Sequence, residues 1–410
     1  MSATATATQA IDNRPTPRYA WVILAVVFVA SFTVPVNFFK VPTLGPVMME
    51  AFGFTPDTFG WLMSVFTIVS IVLAFPAAGI AKKVGIKKIS LVAIASCIVG
   101  GLIGVFATSQ GMLLVSRVFE GVGMGFFGVL APAALAQWFP ARRFGLAAGI
   151  WGIWMPFGSV VMMNLVPALY SSTGAWQTIW WFAIGFSIVA FILFLILYKE
   201  PDQDVQPAAE DQSAAPAKKV SMLKAFSVSL IMLGIMFAVY NVCINGTVNT
   251  FFPTFLQMEH GMDMAAAGFI TSVITFMNII CSMAAGVISD KLGTRKWCIV
   301  GALVILTIAC WFLFSFTSDS MMWIAIVLCG LFPPFVSTCA TAAVPEIIPN
   351  KENQGTGMAM LGFSSSIGSF VGGVALGWLV PSMGWSMGSH VLLIPLLVLA
   401  IVCTLFIKVR

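Results

Sequence analysis

The sequence predicts an all-α polytopic membrane protein whose twelve transmembrane helices form two six-helix bundles of similar structure, with both termini in the cytoplasm. Of its 410 residues, 60% are hydrophobic and only 9% are charged, whereas a soluble domain has roughly 25% charged residues. Apolar runs of about twenty residues recur along the chain, as a helix crossing a hydrocarbon core of about 30 Å requires. A basic segment of the first half is repeated in the second. These three observations predict the fold class.

Twelve spans result when the chain is divided at its polar stretches. The expected helices are 19–45, 58–81, 89–107, 112–138, 144–168 and 176–198, followed by 224–252, 265–289, 297–316, 321–344, 355–380 and 387–408. They divide the chain into a cytoplasmic tail (1–18), an N-terminal bundle (19–198), a cytoplasmic linker (199–222) and a C-terminal bundle (223–410). The tail is polar and lacks the apolar core of a signal peptide. The linker is polar and rich in Pro and Ala, as expected of a connection between two bundles.

The positions of the basic residues predict the orientation. With the N-terminus inside, 18 of the 20 lysines and arginines fall in cytoplasmic segments, as expected because basic residues concentrate in cytoplasmic loops. The two that remain are Lys40 and Arg117, which lie in the outer halves of their predicted helices. The net charge of +5 therefore reflects membrane topology and does not indicate nucleic-acid binding. The expected location is a bacterial inner membrane.

The two halves share a short basic turn. The segment "AGIAKKVGIKK" (78–88) follows the second predicted helix, and "GVISDKLGTRK" (286–296) follows the eighth, 208 residues later, with Gly85 matching Gly293. Two six-helix repeats joined by a linker are typical of secondary transporters, which place their binding site at the repeat interface.

The chain resembles the major facilitator superfamily over nearly its full length. The loop signature G-x-x-x-D-[RK]-x-G-x-[RK]-[RK] is present as Gly286, Asp290, Lys291, Gly293, Arg295 and Lys296, and the fourth helix has R-x-x-x-G-x-G as Arg117, Gly121 and Gly123. The resemblance implies alternating access, a monomer, and a conformational gate formed by Gly286, Asp290, Gly293 and Arg295. Lys82 replaces the acidic residue in the first-half loop, so the corresponding gate is not expected there.

Within the superfamily, "VNFFKVPTL" is similar to the first helix of monocarboxylate-type and small organic anion transporters, which have a lysine near this place. The eighth helix departs from that group. Its usual acidic residue and arginine correspond here to Asn278 and Ser282. The C-terminal half therefore lacks the expected cation.

Three formal charges fall within the predicted membrane region, namely Lys40, Arg117 and Glu120. Ionisable residues at this depth usually mark a substrate or proton pathway. Arg117 and Glu120 are three residues apart on one helix and can form an ion pair. The remaining positive charge favours an anionic substrate. Other roles stay open: Lys40 could reach the outer interface, Arg117 could bind carbonyl groups of a neighbouring helix, and Glu120 could be only its partner or could carry a proton.

Polar residues at helical spacing predict the cavity wall. Thr33, Asn37 and Lys40 share one face of the first helix, and Asn241, Asn245 and Asn249 share one face of the seventh. Asparagine is unfavourable against lipid, so the second stripe indicates a cavity or a helix interface. The eighth helix adds Asn278, and Trp154 of the fifth helix is a candidate aromatic contact.

No motif indicates an enzyme, a nucleotide site, a cofactor or a metal, and the eight cysteines have no metal-binding spacing. The expected function is secondary active transport of a small, monocarboxylate-like anion by proton symport or exchange. Lys40, Arg117, Thr33, Asn37, Asn241, Asn245, Asn249, Asn278 and Trp154 are the expected substrate-binding residues, and Glu120 is the proton-coupling candidate. The alternative is a proton-coupled drug efflux antiporter of the same fold. The expected partners are the anion, protons and the lipid bilayer, with no nucleic acid.

Overall fold

The computed structural model describes residues 16–200, 227–348, 351–407 and 409. Within these ranges the chain is helical and contains no strand. The N-terminal half has eight α-helices: α1 (Arg18–Phe39), α2 (Gly45–Phe52), α3 (Pro56–Val84), α4 (Ile86–Val105), α5 (Gln110–Trp138), α6 (Ala141–Gly152), α7 (Trp154–Thr173) and α8 (Gln177–Leu197). The C-terminal half has seven: α9 (Val228–Asn241), α10 (Asn249–His260), α11 (Met264–Leu292), α12 (Arg295–Leu313), α13 (Asp319–Leu331), α14 (Pro333–Ile347) and α15 (Lys351–Phe406).

Eleven helical segments in the described ranges are long and apolar enough to cross a membrane, against the twelve predicted. The difference lies in α15, where Gly384 has φ 74° and ψ 174°. A Cβ added to Gly388 would lie 3.3 Å from the Cβ of Leu379, although nine residues of straight helix span about 13.5 Å. The chain therefore reverses near Gly384. The predicted linker lies outside the described residues from position 201 onward.

The largest departures from the predicted helix boundaries are at the ends of the first and seventh helices. The first helix ends at Phe39 rather than at residue 45 and is followed by a 3₁₀ turn, Pro42–Leu44, because Pro42 has no N–H to continue the helical bonds. The seventh helix extends to His260, and a π-helical segment, Val242–Val248, separates α9 from α10. Such segments occur frequently at functional sites.

Gly246 explains how the π-helical segment packs against α15. A Cβ on Gly246 would lie 2.6 Å from the Cα of Gly372, closer than carbon atoms pack. Glycine at both positions therefore lets the two backbones touch. This contact places Asn245 and Asn249 between the two halves of the protein.

The two halves meet at the end of the molecule opposite the basic loops, where α1 and α10 end and α3 and α11 begin. Hydrogen bonds between the halves at this end join Thr254 Oγ1 to Pro42 O (3.2 Å), Gln257 Nε2 to Thr43 O (3.0 Å), Asn164 Nδ2 to Ser272 Oγ (3.0 Å) and Ser64 Oγ to Phe370 O (3.0 Å). This end of the molecule is therefore closed.

Candidate functional site

Lys40, Arg117 and Glu120 form a buried ion triad between α1 and α5. Lys40 Nζ lies 2.5 Å from Glu120 Oε1, and Arg117 Nη1 lies 2.7 Å from Glu120 Oε2. All three side chains are 0% exposed. One carboxylate is thus shared by two cations, which leaves the triad with a single net positive charge.

Arg117 also caps the end of α1. The last four carbonyl groups of a helix have no partner within it, and the guanidinium of Arg117 binds two of them, Asn37 O at 2.6 Å and Phe38 O at 3.4 Å. Arg117 Nε donates to Leu62 O of α3 at 3.3 Å. A cation at a helix C-terminus also interacts favourably with the helix dipole. Arg117 thus has the contacts of the structural role left open for it, together with its ion pair.

Close packing and aromatic rings enclose the triad. A Cβ on Gly100 of α4 would lie 2.7 Å from Glu120 Cγ, so glycine at this position leaves room for the carboxylate. The ring of Trp180 lies 4.5 Å from Lys40 Nζ, and the ring of Phe66 lies 4.8 Å from Arg117 Cζ. Aromatic faces at such distances stabilise cations that have left water.

The burial of Lys40 contradicts one reading of the sequence. A lysine that reaches the outer interface keeps its ammonium in water, but Lys40 is 0% exposed and donates to Glu120 and to Asn37 Oδ1 (3.0 Å). The interface position considered for Lys40 was therefore wrong. Its pairing with Glu120 was not predicted, because the two residues are 80 positions apart.

A cavity of about 490 Å³ lies between the two halves. The N-terminal half contributes Phe38, Phe39, Thr67 and Met155, among others, and the C-terminal half contributes polar residues of α9 to α11, α14 and α15. Within the described part of the chain, no charged side chain lines this cavity. Its volume falls in the range typical of small-molecule sites, about 300–1,000 Å³.

The predicted binding residues divide into two groups. Asn245, Asn249 and Asn278 line the cavity. The others lie outside the lining: Lys40, Arg117, Thr33, Asn37, Asn241, Trp154 and the proton candidate Glu120. Within α1, Thr33 Oγ1 donates to Ala30 O (2.7 Å), and Asn37 Nδ2 donates to Thr33 O (2.8 Å). A lining residue separates the triad from the cavity, because Arg117 donates to the carbonyl of Phe38 (3.4 Å) and Phe38 lines the cavity.

Trp154 lies behind the cavity wall. Its ring stacks on Trp151 with centroids 5.4 Å apart, while Met155 and Pro156, the next two residues, line the cavity. A neighbouring wall residue, Ser159, is 1% exposed, and its Oγ has no hydrogen-bond partner within the described residues. A ligand in the cavity could supply that partner.

The three asparagines of the seventh helix form a hydrogen-bonded ladder. Asn241 Nδ2 donates to Phe237 O at 2.8 Å, Asn245 Nδ2 donates to Asn241 Oδ1 at 2.7 Å, and Asn249 Nδ2 donates to Asn245 Oδ1 at 3.0 Å. Ser365 Oγ of α15 donates to Asn241 Oδ1 at 2.8 Å. The stripe therefore faces both the cavity and α15.

The loop after α11 contains the predicted gate residues. Arg295 Nη1 lies 2.7 Å from Glu346 Oε1 of α14, and Arg295 Nη2 lies 3.4 Å from Oδ1 of Asp290, whose side chain is 70% exposed. Arg295 also donates to the carbonyl of Ala342. Gly293 has φ 65°, which glycine adopts without strain. Gly286 lies within α11 facing Thr338, with 3.7 Å between a Cβ added there and Thr338 Cγ2. Glu346 was missed by the sequence analysis, although it is an acidic residue at a helix end beside the basic loop.

Comparison with known sequences identifies the family. The sequence model of the Major Facilitator Superfamily matches residues 22–275 and 241–410, which together cover most of the chain. The chain belongs to the major facilitator superfamily. It is therefore a transporter and a multi-pass membrane protein, and the family membership predicted from the loop and fourth-helix motifs is confirmed.

Curated relatives within the superfamily are distant but extend over most of the chain. "Probable galactarate/D-glucarate transporter GudP" of Escherichia coli (strain K12) is 24% identical over 432 residues, covering 94% of this chain and 92% of the relative. "Probable sulfoacetate transporter SauU" of Cupriavidus necator is 21% identical over 379 residues, covering 88% and 87%. Both relatives are named as transporters of organic acid anions.

Solved superfamily structures show the same fold. A bacterial homologue of the human lysosomal transporter Spinster, in an inward-facing and unoccupied conformation, has a TM-score of 0.79 at 15% identity, covering 96% of this chain and 97% of its own. A D-xylose–proton symporter has a TM-score of 0.74 at 13% identity, covering 95% and 97%.

Several cavity residues were not predicted from the sequence. Thr67, Ser159, Ser365 and Ser369 line the cavity, but serine and threonine can satisfy their own helix's carbonyl groups, so their presence in a span is a weak signal. The run "SSSIGSFVGG" (364–373) contains Ser365 and Ser369. Its serines, spaced four apart, were the available signal.

Proposed function

We propose that this superfamily member transports a small organic anion across a bacterial inner membrane by alternating access, as proton symport or as exchange. The observation that carries the proposal is the charge distribution. A buried triad with one net positive charge lies behind the wall of a cavity whose described lining has uncharged hydrogen-bonding groups and no acidic side chain. Such a site attracts an anion and disfavours a cation.

The triad can act on the cavity without touching the ligand. A unit charge at a separation of roughly 10 Å and an effective dielectric constant of about 20 contributes about 1.7 kcal/mol. Lys40 and Arg117 therefore supply long-range attraction, while Asn245 and Asn249 supply direct hydrogen bonds. This division of roles narrows the expectation from the sequence, in which Lys40 and Arg117 attract or bind the anion and the asparagines orient it.

The names of the relatives support an anionic substrate. GudP is named for galactarate and D-glucarate and SauU for sulfoacetate, and all three compounds are organic acids. The drug efflux alternative has less support, because a carrier of cationic compounds needs acidic groups in its cavity. Glu120 lies one helical turn from Met124, a residue of the cavity lining, but its carboxylate is already paired with two cations.

Glu120 is proposed as the proton-coupling residue. Both of its oxygen atoms bind cations in the described state, so protonation of Glu120 would leave Lys40 and Arg117 without a counter-charge. Proton uptake therefore requires the triad to open. We expect this opening to accompany the movement of α1 against α5 during alternating access.

We also propose an orientation for the protein in the membrane. The end of the molecule opposite the basic loops is closed by hydrogen bonds between the halves. If the basic loops are cytoplasmic, as their charge favours, the described state is closed toward the outside.

Uptake by the purified, reconstituted protein tests the proposal. Proteoliposomes would be assayed with radiolabelled D-glucarate, D-gluconate, sulfoacetate and the cationic dye ethidium, with and without an imposed proton gradient. We expect accumulation of at least one anion and no transport of ethidium. Transport of ethidium alone would contradict the anion proposal.

A charge-matched pair of variants tests the role of Lys40. Lys40→Gln and Lys88→Gln each remove one positive charge, but Lys88 is exposed in the first turn of α4 whereas Lys40 is buried. We expect Lys40→Gln to lose roughly ten- to twentyfold in anion affinity, as the Coulomb estimate above implies, and Lys88→Gln to behave as the unmodified protein. Equal transport by all three proteins would remove Lys40 from the mechanism.

A further inference from the structure

The asparagine ladder has a fixed hydrogen-bond direction. The carbonyl oxygen of Phe237 can only accept, so Asn241 must present its NH₂ group there and its Oδ1 toward Asn245. Asn245 must then present NH₂ to Asn241, and Asn249 must present NH₂ to Asn245 in the same way. The hydroxyl groups of Ser365 and Thr275 supply further protons to the oxygens of Asn241 (2.8 Å) and Asn249 (3.5 Å). Every amide oxygen of the ladder is thus engaged within the protein.

This direction leaves two N–H donors for a ligand. An asparagine NH₂ group has two N–H bonds, and each of Asn245 and Asn249 uses one of them along the ladder. Both residues line the cavity. Their free N–H groups form a donor pole, defined here as Asn245 and Asn249, which suits the oxygen atoms of a carboxylate.

The opposite polarity is found along α11. Asn278 Nδ2 donates to Ile274 O at 2.7 Å and to Cys329 O at 3.3 Å, which engages both of its N–H bonds. Its Oδ1 accepts no hydrogen bond from the described residues and is not sequestered from the cavity that Asn278 lines. Asn278 therefore offers the cavity an acceptor.

Two serines extend this acceptor surface. Ser282 Oγ donates to Ile279 O at 2.8 Å, and Ser337 Oγ donates to Pro334 O at 3.3 Å. Each hydroxyl donates its only proton to its own helix and keeps acceptor capacity for a ligand in the cavity, which both residues line. Asn278, Ser282 and Ser337 form the acceptor pole. The rise of an α-helix, about 1.5 Å per residue, places Ser282 roughly 10 Å beyond Thr275, which contacts the donor pole.

We infer that the cavity selects a polyhydroxylated monocarboxylate, with its carboxylate at Asn245 and Asn249 and its hydroxyl groups donating to Asn278, Ser282 and Ser337. The inference rests on the proposed anion transport and adds the substrate class and the residues that read each end. A carboxylate has no proton to give an acceptor, so the acceptor pole disfavours a second carboxylate. One carboxylate also matches the single net charge of the triad.

Four six-carbon compounds separate the contributions. D-Gluconate has one carboxylate and hydroxyl groups, D-glucarate has a second carboxylate, hexanoate lacks the hydroxyls, and D-glucitol lacks the carboxylate. Calorimetric titration of the purified full-length protein should show D-gluconate binding at least roughly tenfold more tightly than each of the others, because one or two net hydrogen bonds are worth about that factor. Equal affinity for hexanoate and D-gluconate would overturn the inference while leaving anion transport intact. Tighter binding of D-glucarate than of D-gluconate would also overturn the inference and leave anion transport intact. Binding of D-glucitol alone would overturn both proposals, and binding of none of the four would overturn the inference.

Variants assign the two poles. Asn278→Leu should lower the affinity for D-gluconate by roughly tenfold and leave the affinity for hexanoate unchanged, whereas Asn245→Leu should lower both affinities. Ser282→Ala removes an acceptor without disturbing a contact between helices, so it serves if Asn278→Leu does not fold. The control is Thr307→Val, because Thr307 also bonds only its own helix, to Leu303 O at 2.8 Å, but does not line the cavity. An unchanged ratio of D-gluconate to hexanoate affinity in Asn278→Leu and Ser282→Ala would refute the acceptor pole.

Discussion

Removing the negative charge of the triad should be far more damaging to stability than removing one of its positive charges. Glu120→Gln keeps the shape of the side chain but leaves Lys40 and Arg117 buried without a counter-charge, with both at 0% exposure. Breaking a buried ion pair by removing one partner costs about 3–5 kcal/mol. Because two cations lose their partner here, we expect a loss of free energy of unfolding at the upper end of that range.

Lys40→Met should change stability little and lower anion affinity. It leaves Arg117 and Glu120 as a neutral pair and removes an ammonium that is desolvated inside the protein. The lost hydrogen bond to Glu120 and the relieved burial of charge oppose each other, so the net change in stability should stay within about 2 kcal/mol. Anion affinity should nevertheless fall, by roughly ten- to twentyfold, because the triad loses its net charge.

Equilibrium unfolding in mixed micelles, followed by tryptophan fluorescence, measures the stability of both variants, and calorimetric titration with D-gluconate measures affinity. The expected order of stability is unmodified protein or Lys40→Met first, with Glu120→Gln well below. If Glu120→Gln is as stable as Lys40→Met, the assignment of Glu120 as the shared counter-ion is refuted.

The double variant Lys40→Met with Glu120→Gln distinguishes the effect of the triad's net charge from direct binding by the Lys40 ammonium. It restores a single positive charge on Arg117, which keeps its carbonyl partners at Asn37 (2.6 Å), Phe38 (3.4 Å) and Leu62 (3.3 Å). If the net charge attracts the anion, affinity should recover to within about threefold of the unmodified protein. If affinity stays as low as in Lys40→Met, the ammonium itself binds the ligand and the long-range argument is refuted.

Three further substitutions have defined outcomes. Gly246→Ala should lower the free energy of unfolding by about 1–3 kcal/mol, because its Cβ would lie 2.6 Å from the backbone of α15, which cannot move aside. Chemical unfolding measures this change. An unchanged free energy of unfolding would contradict the close contact. Gly100→Ala should lower stability similarly and also weaken anion binding, since its Cβ would lie 2.7 Å from the carboxylate-bearing side chain of the triad. The control for both is Gly301→Ala, at which nothing lies within 4 Å. Ser365→Ala should weaken D-gluconate binding by roughly three- to tenfold, because Asn241 loses a donor that holds its amide in the ladder; an unchanged affinity in calorimetric titration would show that Ser365 does not orient the ladder.

The global fold was readable from the sequence because membrane physics leaves few alternatives. Apolar runs of the right length, basic loops on one side and a repeated loop between Gly286 and Lys296 indicate the superfamily directly. The helix ends were less predictable. The turn after Phe39 and the π-helical segment Val242–Val248 depend on Pro42 and on a packing contact with α15, which hydropathy does not report.

The triad was only partly predictable. Arg117 and Glu120 lie three residues apart on one helix, so their pairing follows from helical geometry. Lys40 reaches Glu120 only because α1 and α5 pack with a particular register, and a glycine at position 100 leaves space for the carboxylate. Sequence spacing carries no information about that register, and the interface position of Lys40 therefore stayed open.

The direction of the asparagine ladder shows where spacing stops being informative. The i, i+4, i+8 pattern of Asn241, Asn245 and Asn249 places three amides on one face, but an amide can present either its oxygen or its nitrogen to a ligand. Here the choice is made at one end of the ladder, at Asn241, where the carbonyl of Phe237 accepts from the amide nitrogen and the hydroxyl of Ser365 donates to the amide oxygen. Asn278, the same residue type on the neighbouring helix, has the opposite polarity because two carbonyl groups engage its nitrogen. The three asparagines that line the cavity thus divide into two N–H donors, Asn245 and Asn249, and one acceptor, Asn278, and the proposed selectivity of the C-terminal half rests on this division.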